Sequence, residues 1–271
     1  MSNKITSSSN TASSASHEGP TLLQRTMERH VDLSNDERAL LAQYEQHPRS
    51  TQKKALLWRA GTRVGELFIL QSGWATTTRL SRDGEQQIIE LMLPGDIIGL
   101  SEFTFAKHLT EARMITQGSI QSFPHENIVD IIAASTPITV ALFANISRQH
   151  ALVTERMLNA FHRSARSRVL HFIIETFFRL EKIHHVELAS FAFPISQRLL
   201  ANMLGLTPVH INRIFKALEQ DGLLKKFRDR IEIHDAKRVM EEAEFDNDYL
   251  AGDVNGLQER LAMLFPSDGS P

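Results

Sequence analysis

The sequence has no cysteine among its 271 residues. That absence excludes disulfides, thiolate zinc sites, cysteine-ligated iron–sulfur clusters and thiol redox switches together. Long apolar runs are missing too, since none approaches the roughly 18 residues that a membrane span needs. The opening MSNKITSSSNTASSASHEGP carries neither an apolar h-region nor a cleavage pattern, so a signal peptide is not expected. A cytoplasmic protein without a membrane partner is the expectation. No charge of one sign dominates, because 30 Lys and Arg face 32 Asp and Glu for a net −2. Only local patches can then direct a charged partner. No stretch sets a nucleophile beside a base or pairs suitably flanked carboxylates, and an enzyme is not expected. Twelve histidines leave imidazole ligation of haem or metal open. With 42% apolar residues, the chain is long enough to bury a core without staples.

Residues 1–20 are rich in Ser, Thr and Asn and predict a disordered tail. Leu22, Leu23 and Met27, then Leu33, Leu40, Leu41 and Tyr44, recur at helical spacing, and Ser34 with Glu37 makes a capping box. From about residue 54 glycines punctuate short apolar runs: LFIL (67–70), WATTTRL (74–80) and QIIELML (87–93), with Asp83-Gly84 as a hairpin signal. This texture predicts an antiparallel β-roll running to about Phe123, within a first domain over 21–136. Pro137 to Arg163 is one helical pattern without glycine. Within it Ile146, His150, Val153, Met157 and Ala160 alternate steps of four and three, a coiled-coil seam that predicts a homodimer helix over 137–165. A further helix, Arg166–Leu180, follows. His184 and His185 are neighbours that would point apart, and no metal is assigned to them.

The most informative segment is PISQRLLANMLGLTPVHINRIFKALEQDGLL, residues 194–224. Ser196 is an N-cap, and Leu199, Leu200, Met203 and Leu204 give the first helix its apolar side. Gly205 permits a left-handed turn. Thr207 caps a second helix with Pro208 at its first position, and Ile211, Ile214, Phe215 and Leu218 form its inward face. Small Ala201, Gly205 and β-branched Ile211 are spaced as in a DNA-binding helix-turn-helix. KKFRDRIEI (225–233) reads as two short strands around a turn, which makes a wing. Residues 194–240 hold nine basic and five acidic side chains, a net +4 suited to a phosphate backbone. The fold class is therefore α+β: an N-terminal antiparallel β-roll, a long dimerisation helix and a C-terminal winged helix-turn-helix over 166–240.

This combination resembles the Crp/Fnr family of bacterial transcription regulators over about residues 22–240. The stretches that carry the resemblance are GELFILQSGWATTTRLSRDGEQQIIELMLPGDIIGL (65–100) and the helix-turn-helix. It implies a cupin-like, cyclic-nucleotide-binding-like sensory roll, a homodimer on double-stranded DNA, and RNA polymerase as a further partner. It also implies base contacts from Val209, His210, Asn212 and Arg213, and phosphate contacts from Ser196, Gln197, Arg198, Thr207 and Lys216. Arg213 matches the family's arginine and would pair bidentately with guanine. Val209 stands where the family has a glutamate, and it can pack on a thymine methyl. In the roll, Gly95-Asp96-Ile97-Ile98-Gly99 is followed by Leu100 where cyclic-nucleotide binders have glutamate, and Thr110 beside Glu111 takes the place of the phosphate-binding arginine. Arg113 is shifted by about three positions. Tight cAMP or cGMP binding is not expected, no cofactor is predicted, and the effector, if there is one, is unnamed. Two alternatives stay open: a haem-based gas sensor, for which His150 is the candidate ligand, and a cyclic-nucleotide-responsive regulator with an atypical pocket. At the seam, His150 reads more readily as a polar interruption that sets register than as a ligand.

Residues 241–271 carry eight acidic side chains against one arginine, a net −7. This extension reads either as a tail that competes with DNA for the basic face, or as a solvated or dimer-covering helix with Leu257, Leu261 and Leu264.

Overall fold

A computed structural model of the chain describes residues 19–82, 84, 86–182, 187–251 and 255–264. The expected tail at 1–18, Asp83 of the hairpin signal and the His184-His185 pair lie outside the described residues. No helix among those residues is long and apolar enough to cross a membrane.

Two short helices come first, α1 (Leu22–Glu28) and α2 (Asn35–Tyr44). Each opens with a reciprocal capping box, Thr21 with Gln24 and Ser34 with Glu37. Eight short strands then build the roll: β1 (Arg49–Thr51), β2 (Leu56–Trp58), β3 (Glu66–Ser72), β4 (Ala75–Leu80), β5 (Gln86–Met92), β6 (Ile97–Ile98), β7 (Glu111–Met114) and β8 (Gly118–Pro124). They form two four-stranded sheets, ordered β1-β8-β3-β6 and β2-β7-β4-β5, with antiparallel pairing. Gly99 sits at φ 96° with Trp58 and Leu67 packed over it, so a side chain there would be strained and would also clash.

Helix α3 (Asn127–Ala134) leads into α4 (Thr136–His162), whose first turn carries Pro137 and accepts the Ser135 hydroxyl as its cap. The C-terminal module follows: α5 (Ala165–Glu181), β9 (Ser190–Ala192), α6 (Gln197–Leu204), α7 (Pro208–Gln220), β10 (Leu224–Lys226), β11 (Arg230–Ile233) and α8 (Ala236–Ala243). The chain closes with α9 (Asp248–Ala251) and α10 (Asn255–Leu264). In α10, Leu257 and Leu264 are exposed, while the Leu261 side chain lies outside the described residues.

Three apolar clusters hold the molecule. One fills the roll around Trp58, Phe68, Met114 and Ile120, and a second joins the roll to α1–α4 through Met27, Leu67, Ile69, Leu100 and Ile138. The third lies in the C-terminal module yet takes in Trp74, Leu91 and Leu93 of the roll. Along α4, His150, Val153, Met157 and Ala160 are exposed. Ile146 differs from the expected seam, because it is half-buried against the roll–helix cluster. Phe143 and Phe161, 63% and 76% exposed, extend the apolar stripe at its two ends.

Beneath these clusters lies one charged joint. Asp96, only 3% exposed, accepts hydrogen bonds from the Leu93 amide (2.8 Å), from Arg148 of α4 (2.5 Å) and from Arg179 of α5 (2.7 Å). Burial alone would raise its pKa, but Arg179, Arg148 and the Leu93 amide outweigh that and hold it down at about 2. Arg29 lies beside the same cluster, and burial together with Arg148 pulls its pKa down to about 10.

Replacing Asp96 by Asn leaves buried Arg148 without a counter-charge and Arg179 with only Glu175 at 3.8 Å, and should lower the unfolding free energy by about 3–5 kcal/mol, read from urea denaturation. Because the carboxyl is depressed in the folded state, its contribution is complete above the ordinary value of 3.8 and is lost as pH falls toward about 2. The stability gap between wild type and Asp96→Asn should therefore narrow across that window.

Candidate nucleic-acid interface

The helix-turn-helix is built from local signals. Ser196 Oγ accepts from the Leu199 amide to start α6, and Thr207 Oγ1 accepts from the His210 amide to start α7. Between them Gly205 takes φ 63°, and nothing lies within 4 Å of where its Cβ would stand. The glycine is needed there for its backbone angle, not for close approach. Leu200, Ala201 and Leu204 of α6 and Ile211, Ile214, Phe215 and Leu218 of α7 are buried.

That inward face dictates the outward one. Val209, Arg213 and Lys216 follow at steps of four and three and form one exposed stripe on α7. Val209 is 73% exposed, which leaves an apolar β-branched side chain open to a methyl group in a groove. His210 is half-buried. Asn212, another expected base contact, is engaged already: its Nδ2 donates to Gln197 Oε1 at 3.2 Å and braces α7 against the start of α6. Arg198 is exposed, as are Ser196 and Thr207, whose oxygens accept from amides while their hydroxyl hydrogens remain able to donate to a phosphate.

The wing is a three-stranded antiparallel sheet, ordered β10-β11-β9. Its third strand, β9, precedes α6 and had no counterpart in the sequence pattern. Lys226 points inward, where its Nζ donates to the carbonyls of Phe193 and Arg228, and burial lowers its pKa to about 8. Arg230 lies 4.1 Å from the Phe227 ring centre and pairs with Glu232, and Lys225 pairs with Glu219. Among the described residues, no ion pair engages Arg198, Arg213, Lys216 or Arg228. Arg228, exposed at the wing tip, was counted in the module's charge but not among the expected contacts.

The module is also fastened to the roll. Asn202 Nδ2 donates to the Gln86 carbonyl (2.5 Å), its Oδ1 accepts from the Ile88 amide (2.9 Å), and Gln87 Nε2 donates to the Asn202 carbonyl (3.0 Å). Since β5 ends its sheet, the asparagine amide pairs with it as a neighbouring strand would. The described part of the acidic extension packs on α5 and α4: Tyr249 donates to Glu175 (3.1 Å), Lys182 donates to the Leu250 carbonyl, and Phe245 stacks on Phe178. This placement favours a structural role over competition with DNA.

Inside the roll, the residues at the positions compared with cyclic-nucleotide binders are engaged as follows. Leu100 is buried in the roll–helix cluster. Trp58 stacks on His108 at 4.2 Å and donates to the Thr110 carbonyl, and His108 Nδ1 lies 2.8 Å from Glu102. Arg113 is taken up by Glu111 (2.8 Å) and the Lys54 carbonyl.

Residues 167–241 match the Crp-like helix-turn-helix domain family, and residues 48–135 match the cyclic nucleotide-binding domain family. The chain is similar to the transcriptional activator protein FnrA of Stutzerimonas stutzeri, 25% identical over 188 residues, 69% of this chain and 77% of that one. It is similar also to the transcriptional activatory protein AadR of Rhodopseudomonas palustris, 26% identical over 71% of this chain and 79% of that one. In fold it is similar to FixK2 from Bradyrhizobium japonicum, with a TM-score of 0.65 at 22% identity, covering 72% of this chain and 96% of that one.

Arg213→Ala should weaken binding to a selected site by about 1–3 kcal/mol and relax preference at one base pair, whereas Lys216→Ala should weaken all sequences alike and reduce the salt slope by about 1. Fluorescence-anisotropy titrations on matched and single-mismatch duplexes at several salt concentrations separate the two.

Proposed function

The chain belongs to the Crp/Fnr family of DNA-binding transcription regulators, and we propose that it works as a homodimer on a pseudo-palindromic site, without a cyclic nucleotide as its effector. The observation that carries the reading is the exposed apolar stripe along α4, where Phe143, Val153, Met157 and Phe161 stand 63%, 39%, 54% and 76% exposed. A helix of this length with its stripe uncovered buries it against a second copy. Two-fold pairing along α4 would present two α7 helices to successive major grooves roughly 34 Å apart. RNA polymerase is the second partner this reading expects, and the cytoplasm its location.

Against a cyclic nucleotide stand Leu100, Thr110 and the Trp58–His108–Glu102 stack, which supply no free cation for a phosphate. Haem is outside the proposal, although His150 is exposed on the seam. A Soret band in the purified protein would reinstate it.

Met157→Glu places a charge in the stripe, and sedimentation velocity should show the dimer replaced by a monomer, with affinity for a palindromic duplex falling at least about tenfold. A wild-type monomer at micromolar concentration would overturn the reading. Equilibrium dialysis should show no bound cAMP or cGMP at ligand concentrations of about 0.1 mM, which corresponds to a binding free energy weaker than about −5.5 kcal/mol.

A further inference from the structure

A cavity of about 290 Å³ lies where α4, α5 and α6 meet the edge of the roll. Its walls come from four parts of the molecule: Gln87 of β5, Arg156 and Asn159 of α4, Arg168 and Phe172 of α5, and Met203 of α6. It is separate from the recognition stripe of α7 and from the interior of the roll.

Three polar atoms on these lining residues, Arg156 Nε, Asn159 Oδ1 and Arg168 Nε, are buried without a hydrogen-bond partner. Buried groups left in that state are rare, because each forfeits the hydration it had in water. Asn159 is itself only 6% exposed. Charge in the wall is unbalanced as well. Arg156 faces Glu175 at 3.4 Å, which leaves that guanidinium matched. Arg168 donates to the Leu204 carbonyl at 3.2 Å, and no carboxylate pairs with it among the described residues. His171, also in the wall, adds no charge near neutral pH, since burial lowers its pKa to about 4. Glu175, the partner of Arg156, and Gln87 are also in the wall, and the apolar part comes from Ala160, Phe172, Met203 and Leu204. One unmatched cation, an apolar wall and one orphan acceptor define a ligand by complementarity. At roughly 30 Å³ per water-sized unit, the space suits about ten heavy atoms.

We propose that this cavity binds a small organic monocarboxylate, its carboxylate on Arg168, its apolar body against Phe172 and Met203, and a hydroxyl or N–H donor toward Asn159. Inorganic phosphate fits the charge but not the apolar wall. The walls assemble only while Asn202 holds α6 against β5, so occupancy favours the docked arrangement over any other. Through that linkage the ligand would bear on DNA binding, and this consequence rests on the regulator reading above; the binding itself does not.

The test is isothermal titration of the full-length protein at pH 7 with isovalerate, benzoate and phenylacetate, their matched amides, and inorganic phosphate, without DNA. At least one acid should bind once per chain with a Kd between about 10 µM and 1 mM, the range that ten atoms can supply. Its amide and phosphate should bind at least about tenfold more weakly, as should Arg168→Met, which keeps the stem and removes the charge. Met203→Trp, which fills the space from the opposite wall, should abolish binding and decides the matter if Arg168→Met does not fold. Arg213→Ala should lose DNA affinity and keep the acid, which holds the two readings apart. No heat from any acid up to about 10 mM, equal binding of acid and amide, or undiminished binding by Met203→Trp would overturn the proposal.

Discussion

The arrangement of the whole molecule depends on one buried carboxylate. Asp96 leaves the roll at its tightest turn and is met there by an arginine from α4 and another from α5. Its desolvation is unfavourable, and it is offset only because both guanidiniums and a backbone amide arrive with good geometry. Take away Asp96 and Arg148 is a buried charge without compensation, while Arg179 keeps only Glu175. The joint therefore fixes three things at once: the packing of α4 on the roll, the exit of α5 from α4, and the place at which the DNA-binding module begins. Glu175, 3.8 Å from Arg179 and 3.4 Å from Arg156, extends the same network along α5. Tyr249 then carries it into the C-terminal extension. A chain of ionic contacts and one hydrogen bond so runs from the roll to α9 without passing through α7.

The recognition surface is organised differently. Its inward half is apolar and its outward half holds few contacts, so its chemistry is set by which side chains are left over. Arg213 and Lys216 are left over; Asn212 is not, because Gln197 has taken its amide. Val209 offers only shape. On the proposed reading such a helix would read sequence with one strong polar contact and one apolar one, with phosphate contacts fixing its register.

How much of this was legible in the sequence follows from how far each signal reaches along the chain. Caps, the left-handed glycine, the turn in the wing and the helical spacing of α4 through α7 are signals three to seven residues long. They located the helix-turn-helix nearly residue by residue. The contacts that assemble the domains are of another kind. Asp96 meets Arg148 and Arg179 across 52 and 83 residues, and Asn202 reaches the β5 edge across 114. Nothing in spacing or composition joins such positions. The half-burial of Ile146 against the roll–helix cluster was hidden for the same reason, since periodicity marks a helix face but not which neighbour covers it. Substitutions at Leu100 and Thr110 were readable against a familiar pattern. That Trp58 would stack on His108 beside Thr110 was not, because the contact is tertiary.

The attachment of α6 to β5 has a consequence for solubility. An outer strand with unsatisfied amides and carbonyls is a template on which another chain can add a strand. Asn202 closes part of that edge with a side chain belonging to the mobile partner in any domain motion. If the module swung away, Gln86 and Ile88 would be uncovered together, next to the apolar Ile88 side chain and the 66%-exposed Leu80 of the same hairpin. Large excursions of the DNA-binding module would thus carry a penalty in self-association. The range of conformations available to this regulator is bounded by colloidal behaviour as well as by its internal energetics.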